Sequence, residues 1–197
     1  MGVLLGLALI VRFLIHKFEE IPKGFQNVIE LLVEVCYSFT ATTMGENNKG
    51  FAPFYGSMFM FILLANLSGL VGLRPPTADL ATTLALALIT FFMIQGYGLR
   101  DKGIAKYIKG FFEPIPLLFP LNVIGELANP VSLSFRLFGN ILGGTIIMAL
   151  WYAMPWLPVK IGIPAFLHAY FDVFAGILQT FIFVMLSMTF VSSAMDS

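Results

Sequence analysis

Charge is what this sequence lacks. Of its 197 residues only 11% are charged, 11 basic against 11 acidic, while 58% are apolar. An average soluble domain carries about 25% charge, so the chain has less than half of what a water-facing surface ordinarily needs. That deficit excludes a disordered chain and argues against a soluble enzyme. Cysteine is nearly absent too: Cys36 stands alone, which leaves no internal disulfide and no cysteine-built metal cluster. No Gly-rich loop followed by Lys-Ser/Thr occurs, so no nucleotide site is expected, nor any cofactor, bound metal or nucleic-acid partner. What the sequence has in abundance is long apolar runs, and the solvent that suits them is lipid.

Residues 1–16, 51–73 and 80–99 are three such runs. The last two each match the roughly 20 residues that a helix needs to cross a bilayer. The first has no basic residue ahead of it and no small-residue cleavage site behind, and Arg12 and Lys17 come towards its end. That polarity is wrong for a secretory signal, so a retained first span with its N-terminus outside is expected. The positive-inside rule then orients the rest. Arg12, Lys17, Lys23 and Lys49 flank one face, and Arg100, Lys102, Lys106 and Lys109 return to it two crossings later. Both groups are expected in the cytoplasm, with the short connection 74–79 outside. Residues 21–43 place Val28, Leu31, Leu32 and Val35 at helical spacing, with Lys23, Glu30 and Glu34 on another face. This is the pattern of an amphipathic helix on the membrane surface or against partner protein.

The C-terminal half predicts two helices too long for the membrane, over residues 115–151 and 164–193. Their uninterrupted parts, about 30 residues each, would span about 45 Å, against a hydrocarbon core of about 30 Å. They must tilt strongly, kink or project. Residues 152–163, with Trp156 and Lys160 among prolines, read as an outward-facing turn. The expected fold is an all-α integral membrane protein forming a single membrane domain. It comprises an N-terminal span, an amphipathic surface helix, two further spans and a C-terminal hairpin of two long, strongly tilted helices. The C-terminus is expected in the cytoplasm.

Between Glu126 and Lys160 lies one charge, Arg136. An arginine near mid-bilayer costs from about 3 to over 10 kcal/mol, and apolar turns on both sides make snorkelling awkward. Projected at about 100° per residue, Asn122, Glu126, Asn129, Ser132, Asn140 and Gly143 all fall within about 80° of Arg136. Polar stripes inside a membrane face protein or a water-filled cavity, so this one reads as a wall of an aqueous path. Gly139, Gly143 and Gly144 would let another helix approach closely. The last helix repeats the pattern with His168, Asp172, Gly176, Gln179 and Thr180. Asp172 is a candidate proton-relaying carboxylate, His168 is a candidate partner on the same face, and Gln179 could hydrogen-bond to Arg136 across the helix pair.

The segments PVSLSFRLFGNILGG (130–144) and LQTFIFVML (178–186), with ANLSGLVGLRPPTADL upstream, resemble the a-subunit family of F-type ATP synthases. The resemblance implies the static half of an ion-translocating motor in the F0 sector, not itself an enzyme, embracing a ring of c subunits. Its partners would be that ring, subunit b of the peripheral stalk and other synthase subunits, in what is expected to be a bacterial plasma membrane. Arg136 would be the essential stator arginine, with Asn140 and Gln179 as polar companions. Two half-channels for H+ or Na+ would load and unload the ring's carboxylates. Some family members carry a glutamate nine residues after the arginine and a histidine seven before the glutamine, where this chain has Thr145 and Asp172. Asp172 is expected to serve the outward half-channel, and Asn122, Glu126 and Asn129 the inward one. The alternative is a free-standing ion transporter, which predicts inverted repeats; no duplicated half is present.

Overall fold

The structure, a computed structural model, describes residues 25–112, 115–154 and 157–196. The expected first span at 1–16, the start of the amphipathic segment and Trp156 lie outside the described residues. Seven α-helices are described: α1 (Phe25–Met44), α2 (Ala52–Leu67), α3 (Leu80–Lys102), α4 (Ile104–Gly110), α5 (Phe119–Ala153), α6 (Leu157–His168) and α7 (Gly176–Asp196). A π-helical segment, Ala169–Ala175, joins α6 to α7. Among the described residues, four stretches are long and apolar enough to cross a membrane: Glu46–Val71, Leu80–Asp101, Pro116–Ala153 and Gly162–Met195.

The described residues fall into two compact units, divided between Phe61 and Ile62. In the first, Gly45 ends α1 with its N–H on the Ala41 carbonyl at 3.0 Å. Its φ of +88° is a conformation that only glycine adopts without strain. Cys36 lies where a methyl group on Gly56 would come within 3.3 Å of its sulfur. Burial pushes the thiol's pKa up, which lowers its share of reactive thiolate. Leu31, Leu32, Val33 and Val35 on α1 are exposed, leaving an apolar surface for lipid or another chain.

The second unit is organised around α3, which packs against both α5 and α7. The buried face of α3 is small and hydroxylated, with Thr83, Ala87 and Thr90 at helical spacing. Lipid tails are as apolar as leucine side chains, so helix association in a bilayer relies on close packing and interhelical hydrogen bonds. Both are present: Thr83 bonds Ser134 of α5 at 3.1 Å, and Thr90 bonds Ser187 of α7 at 2.8 Å. A third tie is Asn66 of α2. Its amide donates to the Gly176 carbonyl at 3.0 Å and to Thr180 Oγ1 at 3.1 Å, and its Oδ1 accepts from Thr77 at 2.8 Å.

The C-terminal helices depart from expectation at their connection. Residues 157–163, expected within a turn, are helical and form the start of α6. The prolines misled that reading: Pro158 falls in the first turn of α6, where its missing N–H would have no intrahelical partner anyway, and the helix continues through Pro164. α5 runs for 35 residues, about 52 Å at the standard rise, and continues through Pro130.

Candidate functional site

One flank of α5 is buried through Leu133, Ser134, Leu137, Ile141 and Met148. Arg136 lies on the adjoining flank and is exposed. Among the described residues it has neither a hydrogen bond nor an ion pair. Apolar side chains along the same stretch of α5 are exposed too: Val131, Phe135, Leu142 and Ile146. An unpaired guanidinium against lipid is costly, so this flank calls for a polar or anionic surface from another chain. Gly139 and Gly143 have nothing within 4 Å of where a methyl group would sit, and so are open to such an approach. Gly144 is not: its methyl would meet Phe171 Cβ at 3.2 Å, which makes it the glycine that seats the π-helical segment against α5.

Two cavities flank Arg136 along the helix. The first, about 500 Å³, is lined by Asn140, Gly144 and Thr145 of α5, by His168 and Asp172, and by Asn66 and Arg74. His168 Nδ1 lies 2.5 Å from Asp172 Oδ2, and its Nε2 lies 3.2 Å from the Tyr152 hydroxyl. Tyr152, His168 and Asp172 thus form a continuous hydrogen-bonded chain that ends at the cavity wall. Arg74 at the same cavity is neutralised by Asp79 at 2.6 Å. Thr145 turns its hydroxyl to the Ile141 carbonyl at 2.8 Å. Asn140 Nδ2 is buried there without a hydrogen-bond partner among the described residues, which leaves a donor for a water molecule.

The second cavity, about 590 Å³, is lined by Asn122, Glu126 and Asn129 of α5 and by Lys106 and Tyr107 of α4. Asn122 donates to the Phe111 carbonyl at 2.9 Å. Glu126 accepts from the Gln95 amide, and the Tyr107 hydroxyl donates to Gln95 Oε1. Burial, with the Glu126 charge beside it, pushes the Tyr107 hydroxyl up to about 12. Arg136 lines neither cavity. At 1.5 Å per residue it stands about 15 Å from Glu126 and about 14 Å from Thr145.

The structure therefore gathers Asn122, Glu126 and Asn129 at one cavity and Asn140, Thr145, His168 and Asp172 at the other. It does not join Gln179 to Arg136. Gln179 is only 7% exposed, its Nε2 has no partner, and it lines neither cavity. Between Asp172 and Gln179 the chain is π-helical as far as Ala175, so the uniform projection that put the two on one face does not apply there. Sequence reasoning missed Gln95, Tyr107, Tyr152 and the Asn66 network. None of them falls on a polar stripe of its own helix that a projection would single out, and only packing brings each to its partners.

Recesses with polar side chains on either side of an arginine that has no partner among the described residues, on a helix long and apolar enough to cross a membrane, suit a multi-pass membrane protein that translocates ions. The comparisons with known proteins narrow that class. Residues 1–192 match the family described as ATP synthase A chain. The chain is 39% identical over 179 residues to ATP synthase subunit a of Moorella thermoacetica, covering 90% of this chain and 80% of that one. It is 35% identical over 209 residues to the sodium ion specific subunit a of Propionigenium modestum, covering 98% and 71%. It is 35% identical over 201 residues to subunit a 1 of Syntrophotalea carbinolica, covering 100% and 82%. The chain belongs to the ATP synthase subunit a family, the non-catalytic, ion-translocating stator subunits of the F0 sector.

Proposed function

We propose that the two cavities are the two half-channels of the stator and that Arg136 separates them. The observation that carries this reading is their placement: along α5, one lining ends at Asn129, the other begins at Asn140, and Arg136 falls between. The cavity at Asp172 opens to the outside and the cavity at Glu126 to the cytoplasm, following the basic residues around α4, with the C-terminus also cytoplasmic. An ion entering at Tyr152 and His168 passes to Asp172 and Asn140, and from there to a carboxylate of the c ring. After nearly a full turn of the ring it leaves past Asn129, Glu126 and Asn122.

Arg136 supplies the asymmetry. An arginine stays protonated in proteins and cannot itself pass a proton. Fixed in a low-dielectric interface, it favours the ionised form of each ring carboxylate that reaches it, so the ion is released there. The same charge repels a cation that would leak straight between the half-channels. Lysine serves less well, because burial neutralises it more readily and it lacks the planar donor fork. The ring's seat is the exposed flank of α5 bearing Arg136, Gly139 and Gly143, together with exposed Ile177, Leu178, Phe181 and Met185 of α7. The two long helices are tilted along the ring, and subunit b and the other stalk components hold the chain static. Carboxylates suit both H+ and Na+, and ATP hydrolysis measured against Na+ concentration at fixed pH distinguishes them.

Membrane-impermeant thiol reagents test the placement. With Cys36→Ser as background, Thr145→Cys should be modified only from the outer side of the membrane, and Asn129→Cys only from the cytoplasmic side. Modification of both from one side, or of either from both sides, overturns the two-half-channel reading.

A further inference from the structure

At the second cavity, side chains from two helices converge on the carboxylate of a third. Gln95 of α3 donates through its amide to Glu126 of α5, and Tyr107 of α4 donates its hydroxyl to Gln95 Oε1, lying 3.5 Å from the same Glu126 oxygen. The backbone is arranged for this meeting. Gly103, at φ +75°, ends α3 in a conformation reserved for glycine and turns the chain into α4. Tyr107 N–H bonds back to the Gly103 carbonyl at 3.0 Å. Gly98, three residues after Gln95 and so on the same face of α3, is the socket for the tyrosine. A methyl group there would meet Tyr107 Cε2 at 3.1 Å. The outer edge of the ring is held by a T-shaped contact with Phe111, centroids 5.3 Å apart.

We propose that Gln95 and Tyr107 form a clasp that positions Glu126 for the passage of the coupling ion through the cytoplasmic half-channel, a proposal that rests on the reading of that cavity given above. An amide can present either its oxygen or its nitrogen. By donating to Oε1, the Tyr107 hydroxyl commits the Gln95 nitrogen to Glu126, and an ionised carboxylate only accepts. The carboxylate therefore has one oxygen held by the clasp and the other left for the cavity. Gln95 acts on Glu126 directly, and Tyr107 acts mainly through Gln95, with a longer contact of its own to Glu126 Oε2 at 3.5 Å. Both are positioning residues, and Glu126 is the group that meets the ion. The other titratable groups lining the cavity are Lys106 and Tyr107 itself, both on α4.

The test is ATP-driven ion pumping by the intact synthase in inverted vesicles, scanned over the pH of the medium, which bathes the cytoplasmic side. Gln95→Leu should slow pumping about tenfold, the worth of one hydrogen bond to a charged group, and displace its pH profile. Neither effect should appear when Gln95→Leu is added to Glu126→Gln. Tyr107→Phe keeps the ring in its Gly98 socket and removes only the donor. It should displace the profile in the same direction by less, and by less again in the Gln95→Leu background, where only its long contact with Glu126 remains.

Equal slowing by Gln95→Leu with and without Glu126 would mean it acts through packing alone, and overturns the clasp. So does an unshifted profile in both Gln95→Leu and Tyr107→Phe. If Gln95→Leu does not assemble, Tyr107→Phe decides: an unchanged profile overturns the proposal. If Glu126→Gln itself pumps normally, the reading of the cavity falls and the clasp with it. Slow pumping by Glu126→Gln beside normal pumping by Gln95→Leu removes the clasp alone.

Discussion

Asn66 is 1% exposed and makes three hydrogen bonds, to the Gly176 carbonyl, Thr180 Oγ1 and Thr77 Oγ1. Removing it by Asn66→Ala should therefore weaken the packing of α2, α7 and the turn Pro76–Ala78 together. Interhelical hydrogen bonds in a membrane protein average about 0.6 kcal/mol and reach about 1.7, so three amount to about 2 kcal/mol at the average. The partners are not equally harmed. Thr180 keeps its bond to the Gly176 carbonyl at 2.8 Å, whereas the buried Thr77 hydroxyl is left without an acceptor, which adds about 1 kcal/mol or more. The expected loss is about 3 kcal/mol. Denaturant-induced release of the subunit from purified complex measures it, as a cycle of Asn66→Ala, Thr77→Val and the double variant. Because the Thr77 bond is lost in each single variant, the double should cost less than their sum. A loss below about 0.5 kcal/mol for Asn66→Ala, or strict additivity in the cycle, refutes the reasoning.

Asp172→Asn should slow ion flux through the intact complex, because the chain from Tyr152 through His168 loses the carboxylate it ends on; unchanged flux across pH removes Asp172 from the path. Tyr107 predicts an alkaline effect. Its hydroxyl is raised from the usual 10.0 to about 12, so between those values the folded chain binds more protons than the unfolded one. Its contribution to stability is complete below pH 10.0, and is lost as pH rises through that window. Denaturation midpoints measured across the window should fall less steeply for Tyr107→Phe than for the parent chain, and identical slopes contradict the prediction.

What was legible in the sequence was whatever one helix carries by itself. Asn122, Glu126, Asn129, Arg136 and Asn140 share a flank of α5 because a regular helix repeats every 3.6 residues, and a projection recovers that from the letters alone. The same projection failed on the last helix, where residues Ala169–Ala175 are π-helical and Gln179 is turned into the packing. The bounds of α6 were obscured by proline, which reads as a stop although helices tolerate it early. Gln95 and Tyr107 were invisible for a different reason. Each is the lone partner of a contact made between helices, and neither helix's own pattern marks it. The three glycines near Arg136 looked alike in sequence, yet among the described residues only Gly144 meets a neighbouring helical segment. Gly139 and Gly143 face outward beside the arginine.

The central claim is that Arg136 separates two half-channels and drives ion release from a partner's carboxylate. Its most direct test is ATP synthesis by complex reconstituted with Arg136→Ala and driven by an imposed ion gradient. The side chain is exposed and unpaired among the described residues, so the variant should assemble in near-normal amount. It should make no ATP, because neither release of the bound ion nor the barrier to leakage survives. Gradient-driven synthesis at the parent rate would contradict the account.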